Sequence, residues 1–382
     1  MEKNNRMGKG KMKILQIIPG GVSFGGIESF ICNNQQFLDT GDMKNAVLSV
    51  LKLPSTGVVY DFFSEVYSIN HESVDGIIKD KFRLFLELKA FFQRRHFDIV
   101  HVHGGLLYAF LLCFILPRDT SMIVHIHAQY IENNLINRLL LCIMRKTVLK
   151  HSDYVLGCSR EALDTWLGQS SINNPKCKII TNAIDTEKYS YNPFLRKKKR
   201  KTNRLVFGYV SRISEGKNHY FLLDIFKEIH EKKYGTELWL VGDGEKEKEL
   251  KLYVEKLQLE DFVFFLGGRS DIPELLQAMD AFIFPSRQEG FGMVAIEAQA
   301  AGLPIYASDN VPPEVAITNL VHFLPLSIGK HAWANYILND IQHLPSRISR
   351  ADEIREAGYD IKETAEVLRT IYINALQKRG LR

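Results

Sequence analysis

The sequence predicts an α/β protein built from two doubly wound halves, and three observations carry that prediction. Short apolar runs recur along the chain, longer amphipathic stretches separate them, and a basic segment divides them into two sets. Nearly continuous β-branched runs between helical periods are the mark of buried parallel strands in βα units. The first set comprises 13–19, 46–51, 98–103, 122–127, 154–158 and 178–181, and residues 1–11 read as a leader before it. The second comprises 205–210, 237–241, 263–266, 281–285 and 304–307. Between them, 186–204 carries Pro193 and the basic run 196–201, which reads as a solvated junction because such a run cannot enter a core. Two domains are therefore expected, 12–185 and 186–350. A terminal helix over 361–378, with Ala365, Leu368, Ile371, Tyr372, Ala375 and Leu376 at helical spacing, is free to pack back on the first.

Composition narrows the class. The chain has 382 residues, 46% of them hydrophobic and 24% charged, enough for a sizeable core in each half. Five scattered cysteines without C-x-x-C spacing suggest neither a zinc knuckle nor a disulfide framework and fit a reducing cytoplasm. The longest apolar stretch, 106–117, is shorter than the ~20 residues of a bilayer span, and the basic start lacks the apolar core of a signal peptide. A net charge of +5, mixed along the chain, argues against a dedicated nucleic-acid binder but permits contact with phosphates and anionic lipid.

The most informative stretch runs from Phe284 to Pro304. A strand ends at Pro285, a loop holds Gly290, Phe291 and Gly292, and a helix begins near Met293, stopped by Gly302 and Pro304. A helix N-terminus offers unpaired N–H groups and partial positive charge to a diphosphate or sugar oxygens, and the glycines admit a ligand to the backbone. Glu289 and Glu297 stand seven residues apart, one before the helix and one inside it. Side chains tilt back toward a helix N-terminus, so both carboxylates are expected in one pocket, as acceptors for vicinal hydroxyls. Arg212 and Lys217 lie on the loop leaving the first strand of this half, at the carboxyl end where open α/β sheets bind ligands, and two cations there neutralise a diphosphate without a metal. Taken singly, each of these residues reads equally as a solvated loop or helix residue.

In combination they resemble a known family. Residues 205–315 are similar to the C-terminal domain of family-4 retaining glycosyltransferases of GT-B architecture, in which two Rossmann-like domains face a cleft. The likeness rests on the E-x7-E motif Glu289–Glu297, the Arg212 and Lys217 pair, Leu240-Val-Gly-Asp-Gly244 and Glu297-Ala-Gln-Ala-Ala-Gly-Leu-Pro304. The resemblance implies that Glu289 binds the donor sugar, Glu297 the ribose, and Arg212 and Lys217 the diphosphate. This chain departs from the pattern at Glu245, where proline is usual, and at Ser211 and Ala183, where glycine is usual; no proposed charge is lost. The segment 307–315 and Phe323-Leu-Pro-Leu326 resemble the capsular and exopolysaccharide branch in particular.

In the first half, Gly25 and Gly26 sit in a glycine-rich loop between strand and helix, able to offer backbone N–H groups to phosphate or acceptor oxygens, and they match the family's N-terminal Gly-Gly…Glu motif. Two strands end in paired histidines, His101 with His103 and His125 with His127, each pair on one strand face. A zinc site is conceivable, but no cysteine or carboxylate accompanies them, and hydrogen-bonded histidines at strand ends are the plainer reading. By resemblance His103 and His127 lie toward the donor, with His127 against its sugar. The expectation is thus an enzyme without metal or cofactor, moving a hexose or N-acetylhexosamine from a nucleotide sugar, UDP-linked by family frequency, to a glycan or polyprenyl-phosphate-linked acceptor. A nucleotide-sugar 2-epimerase of the same fold and a non-catalytic sugar-nucleotide-binding subunit are the alternatives. The amphipathic basic stretches 79–95 and 137–151 read as core helices with solvated faces, and equally as a surface for reversible docking on the cytoplasmic face of an anionic membrane.

Overall fold

A computed structural model describes residues 11–19, 26–38, 41–51, 62–63, 65–71, 78–127, 135–169, 173–200 and 203–380. The expected leader, apart from Lys11, and Gly25 lie outside them. The chain forms two compact units, residues 1–182 with 361–382 and residues 183–360.

The first unit holds a seven-stranded sheet: β1 (Met12–Ile18), β2 (Met43–Leu51), β3 (Glu65–His71), β4 (Ile99–His103), β5 (Ser121–Ile126), β6 (Tyr154–Gly157) and β7 (Cys177–Ile179). The order is β3-β2-β1-β4-β5-β6-β7 and every pairing is parallel. Strands β4, β5 and β6 are buried along their whole length, because helices cover both faces. On one face Leu15, Val100, Val102 and Val124 pack with Leu84 and Leu88 of the helix Ile78–Gln93 and with Leu106 and Leu112. On the other, Ile14, Ile99, Ile123 and Leu156 meet the helices Gly26–Leu38 and Ile361–Lys378. The C-terminal helix buries the six residues of its apolar stripe. Arg369 to Asp42 at 2.9 Å and Arg379 to Asp153 at 2.8 Å pin its polar flank. A fully buried aliphatic side chain contributes about 1.5–3 kcal/mol, so this stripe outweighs those two surface-proximal pairs.

The second unit holds β8 (Leu205–Val210), β9 (Thr236–Val241), β10 (Val263–Gly267), β11 (Ala281–Phe284), β12 (Ile305–Ser308) and β13 (Val321–Leu324), all parallel, in the order β10-β9-β8-β11-β12-β13. The strand order reverses between β8 and β11, and the loops leaving these two neighbours diverge at the switch point where such sheets bind ligands.

The structure corrects three expectations. β3 and β13 were not anticipated; both are edge strands, short or polar, whose patterns lack a continuous apolar run. The segment 186–204 is no solvated junction. It forms the helices Thr186–Tyr189 and Pro193–Lys199, capped by Asp185 and Asn192, within the second unit. Arg196 and Arg200 pair with Asp280, and Arg196 also donates to the carbonyls of Gln277 at 3.0 Å and Met279 at 2.8 Å. The basic run therefore docks by supplying donors to a helix C-terminus, a role that charge alone does not reveal. Finally, the second unit runs to Asp360 rather than 350, because the helix Ala351–Glu356 packs on the helix Met293–Ala300 and Ile184 pairs with Asp360.

Candidate active site

Backbone hydrogen bonds tie together the loops leaving β8 and β11. Gly216 O accepts from the N–H of Arg287 at 2.9 Å and of Gln288 at 3.2 Å, and Asn218 Nδ2 donates to Pro285 O at 2.9 Å. Asn218 sits in the left-handed region at φ 58°, turning the chain from the short 3₁₀ turn Glu215–Lys217 into the helix His219–Lys232. This clasp brings two predicted residues together: Lys217 Nζ lies 2.7 Å from Glu289 Oε2, with both side chains largely buried. Glu289 also accepts from Ser286 Oγ at 3.4 Å and from the Gly290 N–H at 3.3 Å. Beneath them Tyr209 bridges the loops, its hydroxyl 2.8 Å from Ser286 Oγ and 3.2 Å from Lys217 O. Sequence reasoning missed Tyr209, Ser286 and Asn218; nothing in their spacing sets them apart from strand-end and loop residues.

The glycines are needed where they stand. Gly292, at φ +91°, caps the helix Met293–Ala300, and a Cβ there would come within 3.1 Å of the Phe284 ring and 3.3 Å of Glu289 Cγ. No side chain caps this helix start, which leaves its first N–H groups for a ligand. Phe291 is part-buried and stacks on Tyr359. The β9 loop lies so close to the β8 loop that a Cβ on Gly242 or Gly244 would fall about 2 Å from the carbonyl oxygens of Ser211 and Ile213. Arg212 is thereby placed beside Glu245, at 3.4 Å with both side chains more than half exposed. The departure from proline at 245 thus sets an acid against the cation assigned to the diphosphate. Glu245→Gln is expected to lower the donor KM about two- to fivefold, the range of an exposed ion pair released to the ligand, in steady-state assays at low salt.

Glu297 joins neither pair. It lies in the second turn of its helix, part-buried, and its carboxyl accepts a hydrogen bond from Tyr189 of the helix Thr186–Tyr189. Desolvation pushes the carboxyl up to about 7, against the opposing pull of Tyr189 and Lys188. One helical turn separates Glu297 from the helix start, which places the two carboxylates on different partners.

In the first unit, Gly26 opens the helix Gly26–Leu38, and the histidines form one cluster. His101, His103 and His125 are buried and His127 is part-buried at the end of β5. His101 and His103 stand 4.2 Å apart between ring centroids, as do His125 and His127, with Phe30 edge-on to His125 and His127. Burial pushes all four far below the ordinary imidazole value, His101 and His127 to about 3. The rings are therefore neutral at physiological pH. His101, His103 and His125 bring one ring nitrogen each within 4.8 Å of one another, the one grouping among the described residues that approaches a metal-ligand set. Both nitrogens of His103 are already engaged, by His127 at 2.8 Å and Gln16 at 2.8 Å, so a cation would displace existing bonds.

Comparison with known proteins places this geometry. Residues 192–337 match the model described as glycosyl transferases group 1, and residues 61–188 match glycosyltransferase family 4. The chain is 27% identical to EpsF of Bacillus subtilis, named as a glycosyltransferase, over 97% of this chain and 99% of that one. It is 28% identical to the UDP-Gal:alpha-D-GlcNAc-diphosphoundecaprenol alpha-1,3-galactosyltransferase of Escherichia coli, over 61% and 63%. In fold it superposes on Anabaena Alr3699/HepE solved with UDP, with TM-score 0.68 and 19% identity, over 94% of this chain and 98% of that one.

Proposed function

From a chain that belongs to the group-1/family-4 glycosyltransferases of GT-B architecture, we propose a retaining, metal-independent enzyme that moves a hexose or N-acetylhexosamine from a UDP sugar to a lipid-linked surface polysaccharide. The observation that carries this reading is the Lys217–Glu289 pair, clasped at the strand-order reversal beside an uncapped helix start. Lys217 and Arg212 take the diphosphate, and Glu289, released from Lys217, accepts from the sugar hydroxyls together with the Gly290 to Gly292 backbone. Glu297 takes the ribose, and Gly25, Gly26, His103 and His127 complete the donor contacts. The acceptor oxygen attacks C1 from the face that the diphosphate leaves. The C1–O bond to phosphate breaks, and the acceptor proton passes to the departing phosphate oxygen. The two cations stabilise the charge that grows there, which is the protein's main contribution to the rate. A lipid-linked acceptor is supported by the name of the Escherichia coli relative, whose own acceptor is a diphosphoundecaprenol.

A donor screen that reads released nucleotide, followed by the same screen with lipid-linked acceptors, tests the reading. Transfer is expected to survive EDTA. Complete loss that Mg²⁺ restores overturns metal independence, and an epimerised sugar nucleotide formed from donor alone overturns transfer.

We further place the enzyme on the inner membrane face, in capsule-type synthesis. Among the described residues no helix is long and apolar enough to cross a membrane. The helix Ile78–Gln93 buries Leu84 and Leu88 yet exposes Phe82 and Leu86 among Lys81, Arg83 and Lys89. The helix Leu135–His151 likewise exposes Leu140 and Ile143 beside Lys146 and Lys150. Apolar residues flanked by cations on a solvent face suit anionic lipid, at about 1 kcal/mol per basic residue near the surface. Co-sedimentation is expected with anionic vesicles at low salt and to weaken at high salt. Equal, negligible binding to neutral and anionic vesicles removes the idea.

A further inference from the structure

The helix Thr186–Tyr189 has four residues, too few to hold a helical conformation by propensity alone, and the second unit pins it at both ends. At its start Asp185 Oδ1 accepts from the Lys188 N–H at 3.1 Å. Thr186 is fully buried; its hydroxyl donates to Asp360 and accepts from Arg355 Nη2 at 3.1 Å. At its end the fully buried Gln277 donates through Nε2 to the carbonyls of Tyr189 at 3.4 Å and Ser190 at 3.3 Å, and its Oε1 accepts from the Asn192 N–H at 2.9 Å. A buried threonine and a buried glutamine thus fix one helical turn against the helix Met293–Ala300, on which it packs. What the turn presents there is the Tyr189 hydroxyl, donated to the carboxyl of Glu297, the one ionisable residue of that helix, with the Lys188 charge nearby. Burial, then the Glu297, Asp185 and Glu274 charges, keep the proton on the Tyr189 oxygen, so the phenol stays a donor. From the helix Ala351–Glu356, Arg355 pairs with Asp352 and Asp360, and Glu353 pairs with Arg350; from the turn Pro313–Val315, Glu314 acts on Tyr359.

We propose that Tyr189 is a positioning residue of the donor site: from the pinned turn its hydroxyl donates to the Glu297 carboxylate and orients it to receive the 2′- and 3′-hydroxyls of a nucleoside ribose. The ribose half of this statement rests on the donor-site reading of Glu297 above; the Tyr189 half does not. The terminal torsion of a glutamate is broad, so a carboxyl without a fixed donor points in many directions. Ionisation is the second thing the contact controls. A carboxylate accepts from a vicinal diol through two oxygens, whereas a protonated carboxyl has turned one of them into a donor. Desolvation favours the protonated form of Glu297, and the Tyr189 hydrogen bond, made to the charged form, opposes it. Tyr189 therefore keeps a part-buried acid competent to bind at neutral pH without touching the ligand itself.

The carboxyl is titrated first, in the full chain without donor. Infrared difference spectra of protein carrying ¹³C-labelled glutamate, referenced to Glu297→Gln, are expected to place its midpoint at about 7. In Tyr189→Phe the midpoint is expected to rise by about one unit, the weight of a hydrogen bond to a charged group. With 3-fluorotyrosine incorporated throughout the unsubstituted chain, a stronger donor of nearly the same shape, it is expected to fall. A midpoint that neither change moves overturns the proposal, and the second measurement needs no variant to fold. UDP binding, followed by calorimetry, then tests the ribose half. Tyr189→Phe is expected to bind UDP about fivefold more weakly than the unsubstituted protein at pH 7 and equally at pH 9, where the carboxyl is charged in both. A loss of the same size at both pH values shows a merely structural tyrosine and overturns the positioning role. A shifted midpoint with UDP binding that is indifferent to Glu297→Gln supports the action of Tyr189 on Glu297 and overturns the assignment of the ribose to Glu297.

Discussion

Lys217→Ala is expected to lower kcat/KM for nucleotide release by about 10²-fold or more, with the folded state retained. Removing a charged group that stabilises a departing anion typically costs ~2–4 kcal/mol of transition-state stabilisation. Here the loss is doubled in effect, because Lys217 is also the cation that neutralises Glu289. The Glu289 side chain is only 11% exposed, so removing Lys217 takes the ion-pair partner from an enclosed carboxyl group. Most of the loss should appear in kcat if Lys217 acts on the leaving group, and in KM if it only binds the donor. Turnover near that of the unsubstituted protein, with an unchanged circular dichroism spectrum, removes Lys217 from the site. Glu297→Ala belongs to the same class and adds a pH signature. Its carboxyl sits at about 7 through desolvation, so the charged form that accepts from a ribose diol is lost as the pH falls through that value. The donor KM should therefore rise below pH 7, and Glu297→Gln should flatten the profile.

The second large effect is acid lability of the first unit. His101, His103, His125 and His127 are held neutral by burial, with values far below the 6.5 they regain on unfolding. Below pH 6.5 the unfolded chain binds protons that the folded unit refuses, so stability is full above that pH and is lost as the pH falls toward about 3. Each such histidine contributes up to about 1.4 kcal/mol per pH unit. Four in one cluster remove several kcal/mol between pH 6.5 and 5, comparable with the ~5–15 kcal/mol that holds a typical domain together. In the second unit the balance differs. Glu297, raised above 4.5, loses stability as pH rises toward 7, while His219, lowered by burial to about 4, loses it as pH falls below 6.5, and the two oppose each other. Urea melts at pH 5, 6 and 7.5 are expected to show one transition that weakens steeply with acid and one that moves little. His125→Leu should shallow that slope, because it removes one buried imidazole that burial keeps from protonating. A first-unit transition that ignores pH contradicts the account.

Much of the second unit was legible in the sequence. A β-branched run, a Gly-x-Gly turn and a helix stop are local signals, and they located the loops at β8 and β11 and the helix Met293–Ala300 that open the site. Arg212, Lys217 and Glu289 could be named because their positions follow from those loops. Their partners could not: Lys217 meets Glu289 across 72 residues, and Arg212 meets Glu245 across 33. The edge strands β3 and β13 escaped for the opposite reason, since a strand paired on one side needs no continuous apolar pattern to declare itself.

What the sequence determines by itself about this protein is periodic and local: two series of parallel βα units, the loops that end them, and the charges placed there. Those follow from side-chain periodicity and from backbone conformations that glycine and proline impose over a few residues. Only the tertiary structure decided which distant groups meet. It turned a basic run into a helix docked on Asp280, brought Tyr189 to the Glu297 carboxyl, and joined Tyr372, from the last helix, and Gln16 to the histidines of β4. Burial shifts a charge and a hydrogen bond fixes a proton only once its partner is in place, and the partners here lie as far as 356 residues apart.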